Sequence, residues 1–213
     1  MRFENLLTLL GGQGWFDLAS AAQLSGQTGP GLVAQLHRWC KAGKLIPLRR
    51  GMYALSEEYR RTPVQPAQLA NEIYTPSYLS TYWALGFYGL IPEKTVAYTS
   101  VTARSPKTFS NDFGTFAYRH VKPDFFIGYG RVEIDGAAAL LAGPEKALLD
   151  LWHLEPGAWS PARLLEMRFQ NMELVDPNRL ADFAERFRSP RLLEAVRNWN
   201  GLAVDEHRGT VEL

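Results

Sequence analysis

Glu145, Lys146, Asp150 and His153 fall within one short stretch, and Arg119 and His120 stand side by side earlier in the chain. Carboxylate, amine and imidazole together could do acid–base or metal-assisted chemistry. The spacing argues against it. A metal-dependent nuclease needs an acid followed by Glu-x-Lys on a strand, whereas Glu145 and Lys146 are adjacent and open a helix. Lys146 and Asp150 stand four apart, which predicts a surface pair worth a few tenths of a kcal/mol. Glu145 serves the positive end of the helix dipole. The sequence has no His-x-x-x-His, no cysteine cluster, no glycine-rich phosphate loop and no Gly-x-Ser-x-Gly elbow. The expectation is a protein without enzymatic activity, metal or cofactor.

A second kind of chemistry is written near the N-terminus, in GKLIPLRRGMYAL, residues 43–55. Two apolar runs flank Arg49-Arg50-Gly51, a hairpin whose reversal the glycine allows. Two arginines at a hairpin tip suit phosphates or a minor groove. Just upstream, Gln35, Arg38 and Lys41 fall outside the apolar stripe Leu32, Leu36, Trp39 of a helix. Glutamine can pair with adenine and arginine with guanine. Thr28, Gly29 and Gly31 at the helix start let backbone amides approach a phosphate.

The elements that would position these residues read in order. Phe3, Leu6, Leu7 and Leu10 repeat as an amphipathic helix that stops at Gly11-Gly12. Trp15-Phe16 is extended, and Asp17 caps a second helix over Leu18–Leu24. A third helix starts at Pro30, runs to about Lys41 and ends at Gly43. Helix, turn, helix and hairpin is the order of a winged helix-turn-helix, expected over residues 1–60.

Charge supports the same partner. The chain has 213 residues and a net charge of +1. Residues 1–61 carry eight Lys/Arg and four acids, hence +4, and the remainder carries 15 and 18, hence −3. No acid lies between Asp17 and Glu57. A basic third in a near-neutral protein predicts a polyanion partner for that third, with a merely solvated basic face as the competing reading; the helix-turn-helix order makes that polyanion double-stranded DNA. A docking module without sequence-specific DNA binding is the alternative; Arg38, Arg49 and Arg50 paired to acids would favour it.

The length allows one or two domains with a real core, and 46% hydrophobic content is globular. The apolar N-terminal piece carries Glu4 and lacks a small-residue cleavage pattern, so it does not read as a signal peptide. No apolar run approaches a membrane span. With Cys40 as the only cysteine, the expectation is a cytoplasmic protein.

A polar, proline-punctuated linker over residues 56–66 predicts a boundary. Residues 67–213 are expected to form an α+β domain. A short helix over Ala67–Tyr74 comes first, followed by a longer one over Tyr78–Tyr88. Strands follow in Thr95–Ala103, on either side of Ser110-Asn111-Asp112, in Phe125–Ile134 and in Ala137–Leu141. Helices then start at Glu145, Pro161, Pro177 and Pro190. The sheet is expected to be mostly antiparallel. Arg104, Lys107, Arg119 and His120 cluster about it, where an exposed face could meet RNA, a toxin or more DNA. The competing reading has Arg119 and His120 tie the sheet to the following helix.

Three strings in order then carry a resemblance. They are Tyr78-Leu79-Ser80 with Ala84-Leu85 and Gly89-Leu90-Ile91-Pro92; Val101-Thr102 with Phe109, Phe113-Gly114-Thr115-Phe116 and Tyr118-Arg119-His120; and Ala142-Gly143-Pro144-Glu145-Lys146-Ala147-Leu148-Leu149-Asp150. Behind a winged helix, they resemble the AbiEi family, the antitoxin half of type IV toxin–antitoxin and abortive-infection systems, over about residues 10–155. The resemblance implies a two-domain transcriptional regulator. Its N-terminal domain would bind inverted repeats in its own promoter and repress it. Its C-terminal domain would oppose an AbiEii-type nucleotidyltransferase toxin without an assumed stable complex.

Overall fold

The computed structural model describes residues 2–93 and 95–211. The N-terminal unit runs α1 (Phe3–Leu10), β1 (Trp15–Asp17), α2 (Leu18–Ser25), α3 (Pro30–Lys41), β2 (Leu45–Arg49) and β3 (Met52–Leu55). β3 lies between β1 and β2, antiparallel to both. Asp17 caps α2 by accepting the Ser20 amide at 2.7 Å; that bond, more than the charge of Arg49, holds the Asp17 carboxyl below its usual range. Phe3, Leu6, Leu10, Phe16, Leu32, Leu36 and Trp39 fill the unit's own core.

The hairpin faces two cores at once. Tyr53 and Leu55 point into the small N-terminal core, and Met52 and Ala54 into the large one behind. This is the period-two alternation of a strand, used to join two units. The β2–β3 register shifts between Pro47 and Arg49. The extra residue, Leu48, is 2% exposed within the large core. Its carbonyl accepts Asn111 Nδ2 at 3.1 Å.

The second unit is α+β. α4 (Pro66–Ile73), β4 (Ser77–Leu79) and α5 (Thr81–Phe87) precede β5 (Ala97–Thr102), β6 (Lys107–Asn111) and β7 (Gly114–His120). β8 (Tyr129–Ile134), β9 (Ala137–Ala142) and α6 (Pro144–Leu154) follow, then α7 (Pro161–Glu166), α8 (Pro177–Phe187) and α9 (Pro190–Val211). The strand order is β6-β7-β5-β4-β9-β8. The sheet is mixed: β5–β7 and β4–β9 are parallel, and the other three pairs are antiparallel.

Three expectations change here. The strand expected over Phe125–Ile134 begins only at Tyr129, after a single 3-10 turn over Pro123–Phe125. Tyr78 does not begin a helix: Ser77–Leu79 is a strand buried on both faces, and the helix starts at Thr81. Its aromatic and apolar residues are spaced as a helix would space them, but a short central strand has no polar face to betray it. Lys146 and Asp150 are not a surface pair either: both side chains are 0% exposed. Every residue from Glu145 to Trp152 is buried, because α6 packs against α5, β9, α8 and α9.

Candidate nucleic-acid interface

α3 presents the predicted base-reading residues on one exposed side. Leu32, Leu36 and Trp39 are buried beneath it, while Arg38 and Lys41 are exposed and Gln35 is half-buried. Arg38 Nη2 donates to Gln35 Oε1 at 2.7 Å. The two side chains, three residues apart on a helix face, form one preset polar unit. Arg38 itself is exposed. Gly29 begins the helix at φ +78°, a conformation that favours glycine. A shallow depression of about 360 Å³ lies over Gln27, Thr28, Gly31, Leu32 and Gln35.

At the hairpin the two arginines part company. Arg49 turns back: its Nε donates to the Ile73 carbonyl at 2.6 Å and its Nη1 to the Arg50 carbonyl at 3.1 Å. Ile73 ends α4, where helix carbonyls lack intrahelical partners. Arg49 therefore caps α4 and ties the hairpin to the second unit; the expectation of two arginines at a free tip holds for only one of them. Arg50 is exposed. Gly51, at φ +75°, makes the reversal, and its carbonyl accepts the Leu18 amide at 2.8 Å. Among the described residues, Arg38, Arg49 and Arg50 form no ion pair with an acid.

Other bases of the N-terminal third are also engaged. Lys44 Nζ sits 4.7 Å from the Phe3 ring centre, and Arg60 lies over Phe113 at 5.3 Å. Arg38, Lys41 and Arg50 are thus left as the outward charges of α3 and the hairpin.

In the second unit the candidate cations are mostly tethered. Arg104 lies 4.5 Å over the Tyr74 ring and donates to the Thr75 carbonyl at 2.9 Å. Lys107 is exposed, with its ammonium 5.6 Å from the same ring. Arg119 donates to the Leu154 carbonyl at 3.0 Å and stands 3.7 Å from Glu155. It ties β7 to the end of α6, the structural role weighed against a functional one. His120 Nδ1 lies 2.9 Å from the Arg104 carbonyl. Arg191, which sequence reasoning missed, bonds the carbonyls of His153, Glu155 and Gly157. Arg49, Arg119 and Arg191 share one task, satisfying carbonyls at helix ends.

The buried heart of this unit is polar. Asp150 pairs with Lys146 and accepts from Tyr78 Oη at 3.0 Å and Ser80 Oγ at 2.7 Å. Lys146 Nζ also donates to Tyr78 Oη at 2.9 Å. Burial and the Asp150 charge push the Tyr78 phenol up, so it stays protonated. Two strings about 70 residues apart meet in this one network. All four side chains are buried, so the network is sealed from solvent and joins α6 to the end of β4. Glu145 accepts the Asp176 amide at 3.0 Å and faces Arg179 at 3.7 Å, so it joins α6 to α8 as well as sitting at a helix start.

Among the described residues, no group of three or more His, Cys, Asp and Glu side chains could hold a metal ion. No described helix is long and apolar enough to cross a membrane. No family model and no curated protein matches the chain.

Proposed function

We propose that this chain is a DNA-binding transcriptional regulator whose N-terminal unit acts as a winged helix-turn-helix. The carrying observation is α3. It pairs Gln35 with Arg38 on an exposed face, with Lys41 beside them, in a segment with no acid from Leu18 to Ser56. The order α1-β1-α2-α3-β2-β3 with β3 central supports reading α3 as the major-groove helix and the hairpin as the wing. Arg50 is then the wing's phosphate contact, while Arg49 holds the wing in place.

The resemblance of the three strings supports a narrower role. The chain is proposed to repress its own operon as an AbiEi-type antitoxin and to counteract a nucleotidyltransferase-type toxin, in the cytoplasm. Lys107, exposed at the start of β6, is the candidate of the second unit least committed to internal bonds.

One observation favours the docking alternative: Arg49 is spent inside the molecule. A DNase footprint over the segment upstream of the chain's own gene separates the two. Protection of a defined site, lost with Arg38→Ala, supports the DNA reading; uniform or absent protection supports docking. Co-expression with the neighbouring gene tests the antitoxin role by rescue of growth.

A further inference from the structure

β8 ends the six-stranded sheet, and among the described residues no strand is hydrogen-bonded to its outer edge. Which backbone groups face outward follows from the β8–β9 ladder. The Gly143 amide donates to the Gly128 carbonyl at 3.0 Å. Bonded and non-bonded pairs alternate along an antiparallel ladder. With Tyr129 opposite Ala142 and Ile134 opposite Ala137, the bonded pairs are Gly130–Leu141, Val132–Ala139 and Ile134–Ala137. The two-residue turn Asp135-Gly136, with both φ positive at 51° and 77°, closes on such a pair. Tyr129, Arg131 and Glu133 therefore turn their N–H and C=O groups away from the sheet.

The side chains of those three residues lie on one face, and all three are exposed. Neither Arg131 nor Glu133 has an ion-pair partner among the described residues. Charges on an edge strand usually discourage pairing. Here their order does the opposite for one specific partner. If a second β8 runs antiparallel about Val132, Arg131 faces the second copy's Glu133, and Glu133 faces the second copy's Arg131. In that register the outward backbone groups also meet outward groups. Centring on Arg131 or on Glu133 sets like charge against like. Centring on Gly130 leaves Glu133 beyond the end of the pairing.

We propose that two copies of this chain associate through β8 about a two-fold axis at Val132, extending the six-stranded sheets into one of twelve strands. The interface is isologous, as a two-fold requires. The proposal does not depend on DNA binding. If both hold, the symmetric pair supplies the two copies that an inverted repeat would engage.

Sedimentation equilibrium of the full chain across a wide concentration range, without DNA, tests it. The unaltered chain forms a reversible dimer that weakens with salt. Arg131→Glu and Glu133→Arg, each alone, weaken self-association by about tenfold or more, because each sets like charges opposite one another. Mixing the two single variants restores dimer, since the reversed side chains then face opposite charges, and so does the double reversal Arg131→Glu with Glu133→Arg. A monomer at every concentration overturns the proposal. So does a dimer indifferent to the single reversals, or a mixture that stays monomeric.

Discussion

The Nε of Arg49 donates to the carbonyl of Ile73 across 2.6 Å, joining the tip of the N-terminal hairpin to the last turn of α4. The contact divides a pair of adjacent arginines into a strut and a free charge. Leu48 beside it is buried in the large core, so the hairpin is anchored from the middle and near the tip. A hairpin held this way carries Arg50 on an anchored backbone. In the proposed DNA-binding role, that anchoring is what would count, by lowering the ordering cost of a phosphate contact.

Arg49→Ala and Arg50→Ala should therefore behave differently. Arg49→Ala removes a charge-assisted bond to a helix end and costs roughly 1–2 kcal/mol of stability. Arg50→Ala leaves stability within roughly 0.5 kcal/mol. It weakens binding to all DNA sequences and lowers the salt slope by about 1. Urea unfolding and DNA titrations at several salt concentrations read the two effects separately.

On α3, Arg38→Ala or Gln35→Ala should relax base preference, by roughly 1–3 kcal/mol of discrimination at one position. Because Arg38 donates to Gln35, the two losses should be less than additive. Competition titrations with single-base variants of the protected site measure this.

The Lys146–Asp150 pair gives the largest expected stability change. Lys146→Met or Asp150→Leu strands a buried charge and should cost roughly 3–5 kcal/mol. The double replacement leaves no unpaired charge and should recover much of that loss. Chemical denaturation of the three variants decides it. Recovery marks the pair as a packing device; no recovery marks it as a net stabiliser.

His153 predicts a pH effect. Burial against Phe125 and Phe187, whose ring centres lie 5.5 and 5.2 Å away, pushes its pKa down. Asp150 pulls it up, while Arg191, Lys146 and Lys122 pull it further down. The unfolded chain then binds the proton more readily. This contribution to stability is whole above the unfolded pKa near 6.5 and is lost as pH falls toward the lower folded value. Unfolding midpoints followed from pH 7.5 to 5 should fall less steeply in His153→Gln than in the unaltered chain.

Local signals carried the sequence reading far. Proline at helix starts and glycine at turns located α3, α6, α8 and the hairpin to within a residue or two. Alternating aromatics located β7, where Phe116 and Tyr118 are buried. What failed needed tertiary information. Lys146 and Asp150 at i, i+4 look like a surface pair, although Ala147-Leu148-Leu149 and Leu151-Trp152 around them leave α6 no polar face. That was the available signal for burial. Arg49 differs from Arg50 only through a bulge and a carbonyl 24 residues away. The parallel pairing of β4 with β9 joins strands about 60 residues apart and leaves no local mark.

A gel-shift titration most directly tests the central claim that α3 and Arg50 bind DNA. The purified chain is titrated against the segment upstream of its own gene and against a random fragment of equal length, at two salt concentrations. The account predicts tighter binding to the upstream segment, weakening steeply with salt, with the preference lost in Arg38→Ala. Equal affinity for both fragments, or no binding to either, would contradict it.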